Sequence, residues 1–245
     1  MKSKIKKILS YSPYGVYEIF RDREKKKQSL KTQKILIDNY IKNNEVKKMQ
    51  IGCGSNLLDG WLNTDLNDSY EIAFLDAGGK FPISANTFDY VYSEHLFEHL
   101  KVEQQLNMFQ ESYRILKKGG VLRIATPTLD FLFDLYNNPK TPKSRDYVNY
   151  YISHFPQFKK VNELVIDKDE HYNYVINNFF KAWGHQMIHN FSSIKKLALQ
   201  CNYSQIRRAK VGESDISFLY NIERHGTIIP ERINEIETMV VEIIK

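Results

Sequence analysis

Between residues 47 and 127 the chain repeats one pattern: a short apolar run that stops at a turn residue or a carboxylate. Lys47-Lys-Met-Gln-Ile51 runs into Gly52-Cys-Gly54, Trp61-Leu-Asn-Thr-Asp65 and Ile72-Ala-Phe-Leu-Asp76 each end in an acid, Thr87-Phe-Asp-Tyr-Val-Tyr-Ser93 ends in a hydroxyl, and Val121-Leu-Arg-Ile-Ala-Thr126 is closed by Pro127. Runs this short, rich in β-branched and aromatic residues and bounded by turn formers, read as strands. Ahead of the fifth, Val102 to Leu116 gathers Leu106, Met108, Phe109, Tyr113 and Leu116 near one helical face and then reaches Lys117-Lys-Gly-Gly120. That is a helix with a cationic end and a glycine stop. Strands alternating with helices predict an α/β fold, a parallel sheet with helices on both faces. In such sheets ligands bind beyond the carboxyl ends of the strands. The candidate site is therefore 52–55, 65–66, 76–77, 93–95 and 126–128.

The rest of the chain is assigned more coarsely. Ile35, Leu36, Ile37, Tyr40 and Ile41 predict a short helix over 31–43, and 192–200 reads as another. Residues 206–211 and 216–222 read as two final strands and 232–244 as a terminal helix. Residues 137–183 break the alternation and are crowded with aromatics, among them Tyr147, Tyr150, Tyr151, Phe155, Phe179 and Trp183. Two readings stay open there: a lid over the mouth of the site, or a helical subdomain with its own core. The expected domains are a basic helical extension over 1–45 and one domain over 46–245 carrying the insertion.

The 245 residues carry a net charge of +6, but residues 1–50 hold fourteen Lys/Arg against five Asp/Glu, so the remainder is slightly acidic. An acidic body argues against a nucleic-acid partner. The cluster Arg21 to Lys27 reads as a solvated arm, with peripheral contact to an anionic membrane as the other use. No run approaches a membrane span, the first ten residues lack the apolar stretch of a secretory signal, and Cys53 and Cys201 cannot build a disulfide framework. A reducing cytoplasm is the expected compartment.

Four motifs follow one another: Ile51-Gly-Cys-Gly54, Gly60-Trp-Leu-Asn-Thr-Asp65, Ser93-Glu-His-Leu-Phe-Glu-His-Leu100 and Arg114-Ile-Leu-Lys-Lys-Gly-Gly120, with Gly184-His185 and Gly212-Glu-Ser-Asp215 later. In this order they resemble the class I S-adenosylmethionine-dependent methyltransferases, and within them a small bacterial group associated with surface polysaccharides. The likeness is strong over about 48–130 and weaker over 183–223. It implies a Rossmann-like, seven-stranded, mostly parallel sheet with a reversed final strand, and S-adenosylmethionine as cofactor. It implies that Gly52, Cys53, Gly54 and Ser55 hold the methionine end, Asp65 with Leu66 the ribose, and Asp76 with Ala77 the adenine, with Ser93 and Glu94 lining the same crevice. Only eleven positions separate Gly54 from Asp65, against about 20 when a full crossover helix intervenes, so the first helix is shortened or absent.

Methyl transfer to a hydroxyl asks the protein to align acceptor and methyl and to take a proton. Histidine titrates in the right range; among His95, His154, His185 and His189, His95 ranks first and His185 second. For each, a packed or surface imidazole is the competing reading. Glu98 and His99 read as helix-start packing. His95-Leu-Phe-Glu-His99 also matches a zinc-peptidase pattern, but such motifs lie inside long helices and this one follows a strand, so no metal is expected. The expected acceptor is a small-molecule or nucleotide- or lipid-linked saccharide, methylated on a sugar hydroxyl or phosphoryl-type group of a capsule precursor. A non-catalytic cofactor-binding scaffold is the alternative, and a zinc hydrolase a lesser one. A nicotinamide dehydrogenase fails because Leu57 stands where a third glycine is needed. The oligomeric state is not legible.

Overall fold

The computed structural model describes residues 33–67 and 69–245. The basic segment 1–32, including Arg21 to Lys27, lies outside the described residues; its continuation is helix α1, 33–43. Strands β1 (Lys48–Ile51), β2 (Leu62–Asp65), β3 (Ala73–Phe74), β4 (Phe88–Glu94), β5 (Leu116–Pro127), β6 (Gln205–Ala209) and β7 (Thr238–Ile244) form one sheet in the order β3-β2-β1-β4-β5-β7-β6. Pairings among the first five are parallel, and β7 is antiparallel to both β5 and β6. The fold is a Rossmann-like α/β sheet. Its order reverses between β1 and β4; in open α/β sheets the crevice that takes a ligand lies at the carboxyl ends of the strands flanking such a switch point.

The other helices are α2 (Val102–Ile115), α3 (Leu129–Asn137), α4 (Pro142–His154), α5 (Lys159–Leu164), α6 (His171–Lys181), α7 (Phe191–Gln200) and α8 (Glu231–Glu237). Met108 and Phe109 of α2, Ile194 and Ala198 of α7 and Ile37 of α1 pack on Met49, Ile51, Val91, Leu122, Ile124, Val241 and Ile243 to make the main core. On the other face Trp61, Leu219 and Ile222 cover Tyr92 and Val121. The parallel pair β1 and β2 is joined by residues 52–61, which hold turns and no helix. Asn63 stands in for the missing helix: its side chain accepts from Leu58 N at 3.0 Å and donates to Leu58 O at 3.1 Å, pinning the loop to β2.

Two expected elements are corrected. Residues 216–222 are not a strand; they contain one 3₁₀ turn, Ser217–Leu219. Leu219 and Ile222 are buried because this loop covers the sheet, and a covering loop shows strand-like apolar spacing without pairing. The expected helix over 232–244 ends at Glu237, and the rest is β7, inserted between β5 and β6. Both faces of β7 are buried, so Met239 to Ile243 is a continuous buried run rather than an alternation, and such a run has no period that separates strand from helix.

Helices α3 to α6 carry a second core around Phe131, Tyr147, Tyr151, Val175 and Phe179, closed by Ile229 and Ile233. Thr128 caps α3 by accepting from Asp130 N at 3.2 Å, and Thr141 caps α4 with Pro142 in its first turn. These caps let the chain leave β5 and return over its carboxyl end.

Candidate active site

The crevice is built from the ends of β1, β2 and β4. Beyond β1 the backbone turns at Gly52, whose N–H and that of Cys53 both reach Thr64 O, at 2.8 and 3.0 Å. Gly52 rests on the side chain of Leu96, so the glycine turn touches the segment that leaves β4. Gly54 is exposed with nothing within 4 Å of where a Cβ would lie. Asp65 ends β2, and its carboxylate accepts from Gly54 N and from Asn67 N, both at 3.0 Å. Asp76 is exposed and accepts from Gly78 N at 2.8 Å; Ala77 is buried, Leu66 and Ser55 are exposed. Ser93 is fully buried with an unpartnered hydroxyl. The N–H groups of Gly52, Cys53 and Gly54 are spent within the turn; what the turn leaves for a ligand is exposed, side-chain-free backbone beside a half-buried carboxylate with lone pairs to spare, which suits ribose hydroxyls. Glu94 is differently engaged: its carboxylate accepts from Arg224 N and His225 N, at 2.9 to 3.0 Å, and so ties β4 to the segment before α8. Cys53 is buried and its thiol is pushed up to about 11 by burial and by the Asp65 carboxylate, an inert packed residue.

Next to this crevice, under α4 and α6, lies a cavity of about 220 Å³. Its wall on the insertion side is Tyr151, Phe155, Phe179 and Trp183; its floor is His95, Glu98, His99, His185, His225 and Glu237. His95 follows β4 with φ of +46°, its N–H held by Ala125 O at 2.9 Å. A left-handed conformation costs a residue with a Cβ of order 1–3 kcal/mol, and such strain gathers at functional sites. Here it turns the imidazole toward Glu98, with Nδ1 3.2 Å from Oε1. Glu98 is 0% exposed, and its Oε2 accepts from Thr126 Oγ1 at 3.0 Å. Burial alone would raise the Glu98 carboxyl, but the adjoining His95 and, further off, His99 hold it below the usual carboxylate range. Burial works in the opposite sense on His95, and the Glu98, Glu237 and Glu94 carboxylates outweigh it, so this imidazole is raised. His95 also stacks on His225 at 3.8 Å, and His225 Nε2 lies 3.4 Å from Glu237 Oε1. The other oxygen of Glu237 accepts from the Tyr147 and Tyr151 hydroxyls, at 2.5 and 2.6 Å.

Of the histidines singled out in the sequence, His95 and His185 both line the cavity. His185 is lowered, first by burial. His189 is buried between Gln105 and Ser193, at 3.0 and 2.9 Å, and burial lowers it too; His154 sits at the end of α4 against Tyr150 O. Glu98 and His99, read from sequence as packing, lie in the cavity floor on a single 3₁₀ turn, Phe97–His99, rather than in a long helix. Sequence reasoning missed His225 and Glu237. Their neighbourhood reads as an unremarkable loop and helix, and no local signal marks either.

Residues 63–124 match a family described as a methyltransferase domain. The match runs from β2 into β5 and includes Asp65, Asp76, Ser93, Glu94 and His95. It implies S-adenosylmethionine as the cofactor, whose chemistry is the supply of an electrophilic methyl group. No curated protein matches the sequence. Among solved structures, the chain is similar to an S-adenosylmethionine-dependent methyltransferase from Archaeoglobus fulgidus, at 14% identity and a TM-score of 0.44 over 94% of this chain and 99% of that one. It is also similar to one from Mesorhizobium loti, at 11% identity and a TM-score of 0.46 over 82% and 91%. Among the described residues no helix is long and apolar enough to cross a membrane.

Proposed function

We propose that this chain methylates the hydroxyl or phosphoryl-type oxygen of a small saccharide, such as a capsule or other surface-polysaccharide precursor, carried free or linked to a nucleotide or lipid. The observation that carries the reading is the cavity itself: an aromatic wall that a sugar ring can stack on faces a floor of imidazoles and carboxylates, next to the crevice at the switch point. In this reading the Gly52–Ser55 turn holds the methionine end of the cofactor, Asp65 the ribose hydroxyls, and Asp76 with Ala77 the adenine. His95 takes the acceptor proton, and buried Glu98 stabilises the imidazolium that results. Tyr151, Phe155 and Trp183 fix the acceptor ring and keep water out.

The test is His95→Ala assayed with labelled methyl donor against saccharide precursors, alongside calorimetric binding of S-adenosylhomocysteine. Turnover is expected to fall about 10²–10⁴-fold, the range for loss of a general base, while the by-product binds as before. Unchanged turnover removes His95 from the reaction. A chain that binds the by-product and methylates no acceptor is the scaffold alternative.

A further inference from the structure

We infer that the floor of the cavity holds a zinc-class divalent ion, bound by Glu98, His99 and His185. These three residues each offer one ligand atom, and the three atoms lie within 4.8 Å of one another. One carboxylate and two imidazoles are a common ligand set for a zinc ion that keeps an open position.

The surroundings are those of a ligand set rather than of packing. Glu98 is 0% exposed, Thr126 Oγ1 occupies its Oε2, and its Oε1 has no hydrogen-bond donor. His95 Nδ1 lies 3.2 Å from that oxygen. A buried carboxylate is costly unless cationic groups meet it; the His95 imidazole meets Glu98 on one side, and an ion between His99 and His185 would meet it on the other. His99 Nε2 lies 4.0 Å from the same Oε1. His185 Nδ1 donates to Phe179 O at 2.7 Å, which fixes the tautomer and leaves Nε2 as the free lone pair, the outer-shell arrangement of metal-bound histidine. The two segments are also fastened together: Gln186 N and Met187 N both donate to Glu98 O, at 2.8 and 3.2 Å. Bonds of about 2.0 Å in a tetrahedral site put ligand atoms roughly 3.3 Å apart, so the rings must close by about an ångström. The His99 side chain is 33% exposed, which leaves that ring room to move.

This arrangement differs from a peptidase pairing of His95 with His99, in which Glu98 activates water. Here Glu98 is a ligand, and His185 comes from beyond the insertion. The ion's open position faces the cavity. If the methyltransferase reading holds, that is where a polar group of the acceptor sits, and the ion orients it for His95; the metal site itself does not depend on that reading.

The test uses the full chain, stripped with chelator and titrated with Co²⁺ alone. One equivalent is expected to bind, with the visible absorption of a four- or five-coordinate nitrogen–oxygen site, and Zn²⁺ is expected to displace it. His99→Ala and His185→Ala are each expected to weaken binding by more than about 100-fold, beyond what loss of an outer-shell partner costs. His154→Ala, which removes a histidine outside the cavity, is expected to bind as the parent does. If Glu98→Gln does not fold, the histidine variants carry the test. Tight Co²⁺ binding that survives His185→Ala overturns the proposal, as does uptake by the parent no greater than by a His99→Ala/His185→Ala double variant. S-adenosylhomocysteine binding on the same samples separates the two ideas: Co²⁺ bound without it leaves the metal site standing and removes the methyltransferase reading, and the reverse result does the opposite.

Discussion

Gly52 and Gly54 are two residues apart and are held to glycine for different reasons. Both have positive φ, +71° and +51°, a region that costs other residues roughly 1–2 kcal/mol. At Gly52 a Cβ would also lie 2.7 Å from Leu96 Cδ2, whereas at Gly54 it would meet nothing within 4 Å. Gly52→Ala is therefore expected to lower stability more than Gly54→Ala, because Leu96 has to move or its packing is lost. Gly54→Ala is expected to leave most of the stability and to weaken S-adenosylhomocysteine binding, since its methyl occupies the open side of the turn. Thermal melts and calorimetry on the pair decide it, and equal affinities for parent and Gly54→Ala would move the cofactor away from this loop. The importance of the turn is legible in Gly52-Cys-Gly54. The difference between its glycines is not, because it depends on Leu96, which arrives from the end of a neighbouring strand.

At the level of elements, the antiparallel edge of the sheet is joined by a buried ionic ladder. Arg123 of β5, Glu242 of β7 and Arg207 of β6 stand in register. Arg123 is 0% exposed, and its guanidinium donates to Glu242 at 2.7 Å and to Glu223 at 2.6 Å; Arg207 reaches the other oxygen of Glu242. Burial would raise the Glu242 carboxyl, but Ser214, Arg207 and Arg123 together hold it below its usual value of 4.5. A carboxyl lowered on folding adds stability that is complete above the unfolded value and is lost as pH falls through the folded one. Glu242→Gln is expected to cost about 3–5 kcal/mol at neutral pH, the cost of breaking a buried pair, and to flatten the fall in urea midpoint below about pH 4.5. A variant whose midpoint keeps the parent's acid slope would show that other carboxylates set it. None of this ladder is visible in sequence, where Arg123 and Arg207 look like ordinary strand charges and Glu242 falls in an expected helix, 119 positions from Arg123.

On the scale of the whole molecule, the proposed cofactor and acceptor regions belong to different layers. The crevice is made by strand ends, whereas the aromatic wall of the cavity belongs to α4, α6 and the loop after them, which have their own core. Mutations in that wall are expected to separate acceptor from cofactor. Trp183 is 41% exposed, lines the cavity and packs against Tyr151, Phe155, Phe179 and His185. Trp183→Ala is expected to raise KM for a saccharide acceptor about tenfold or more, the value of roughly 1.4 kcal/mol of lost contact, with S-adenosylhomocysteine affinity unchanged. Steady-state kinetics beside calorimetry checks this, and a loss of by-product affinity equal to the rise in KM would mean that the two regions are one.

The sequence by itself determined the parallel half of the sheet, the glycine turn, the acid that ends β2, the acid two residues past β3 and the histidine after β4, because strand ends and turns are local events written in neighbouring residues. It also determined that the first crossover lacks a full helix, which chain length alone dictates. Only the tertiary structure decided that 238–244 is a strand, since a run buried on both faces has no period of its own. Only it could bring His225 and Glu237 to His95, or His185 to Glu98 and His99: these contacts close over long stretches of chain, and side chains that meet that way leave no mark on the residues beside them.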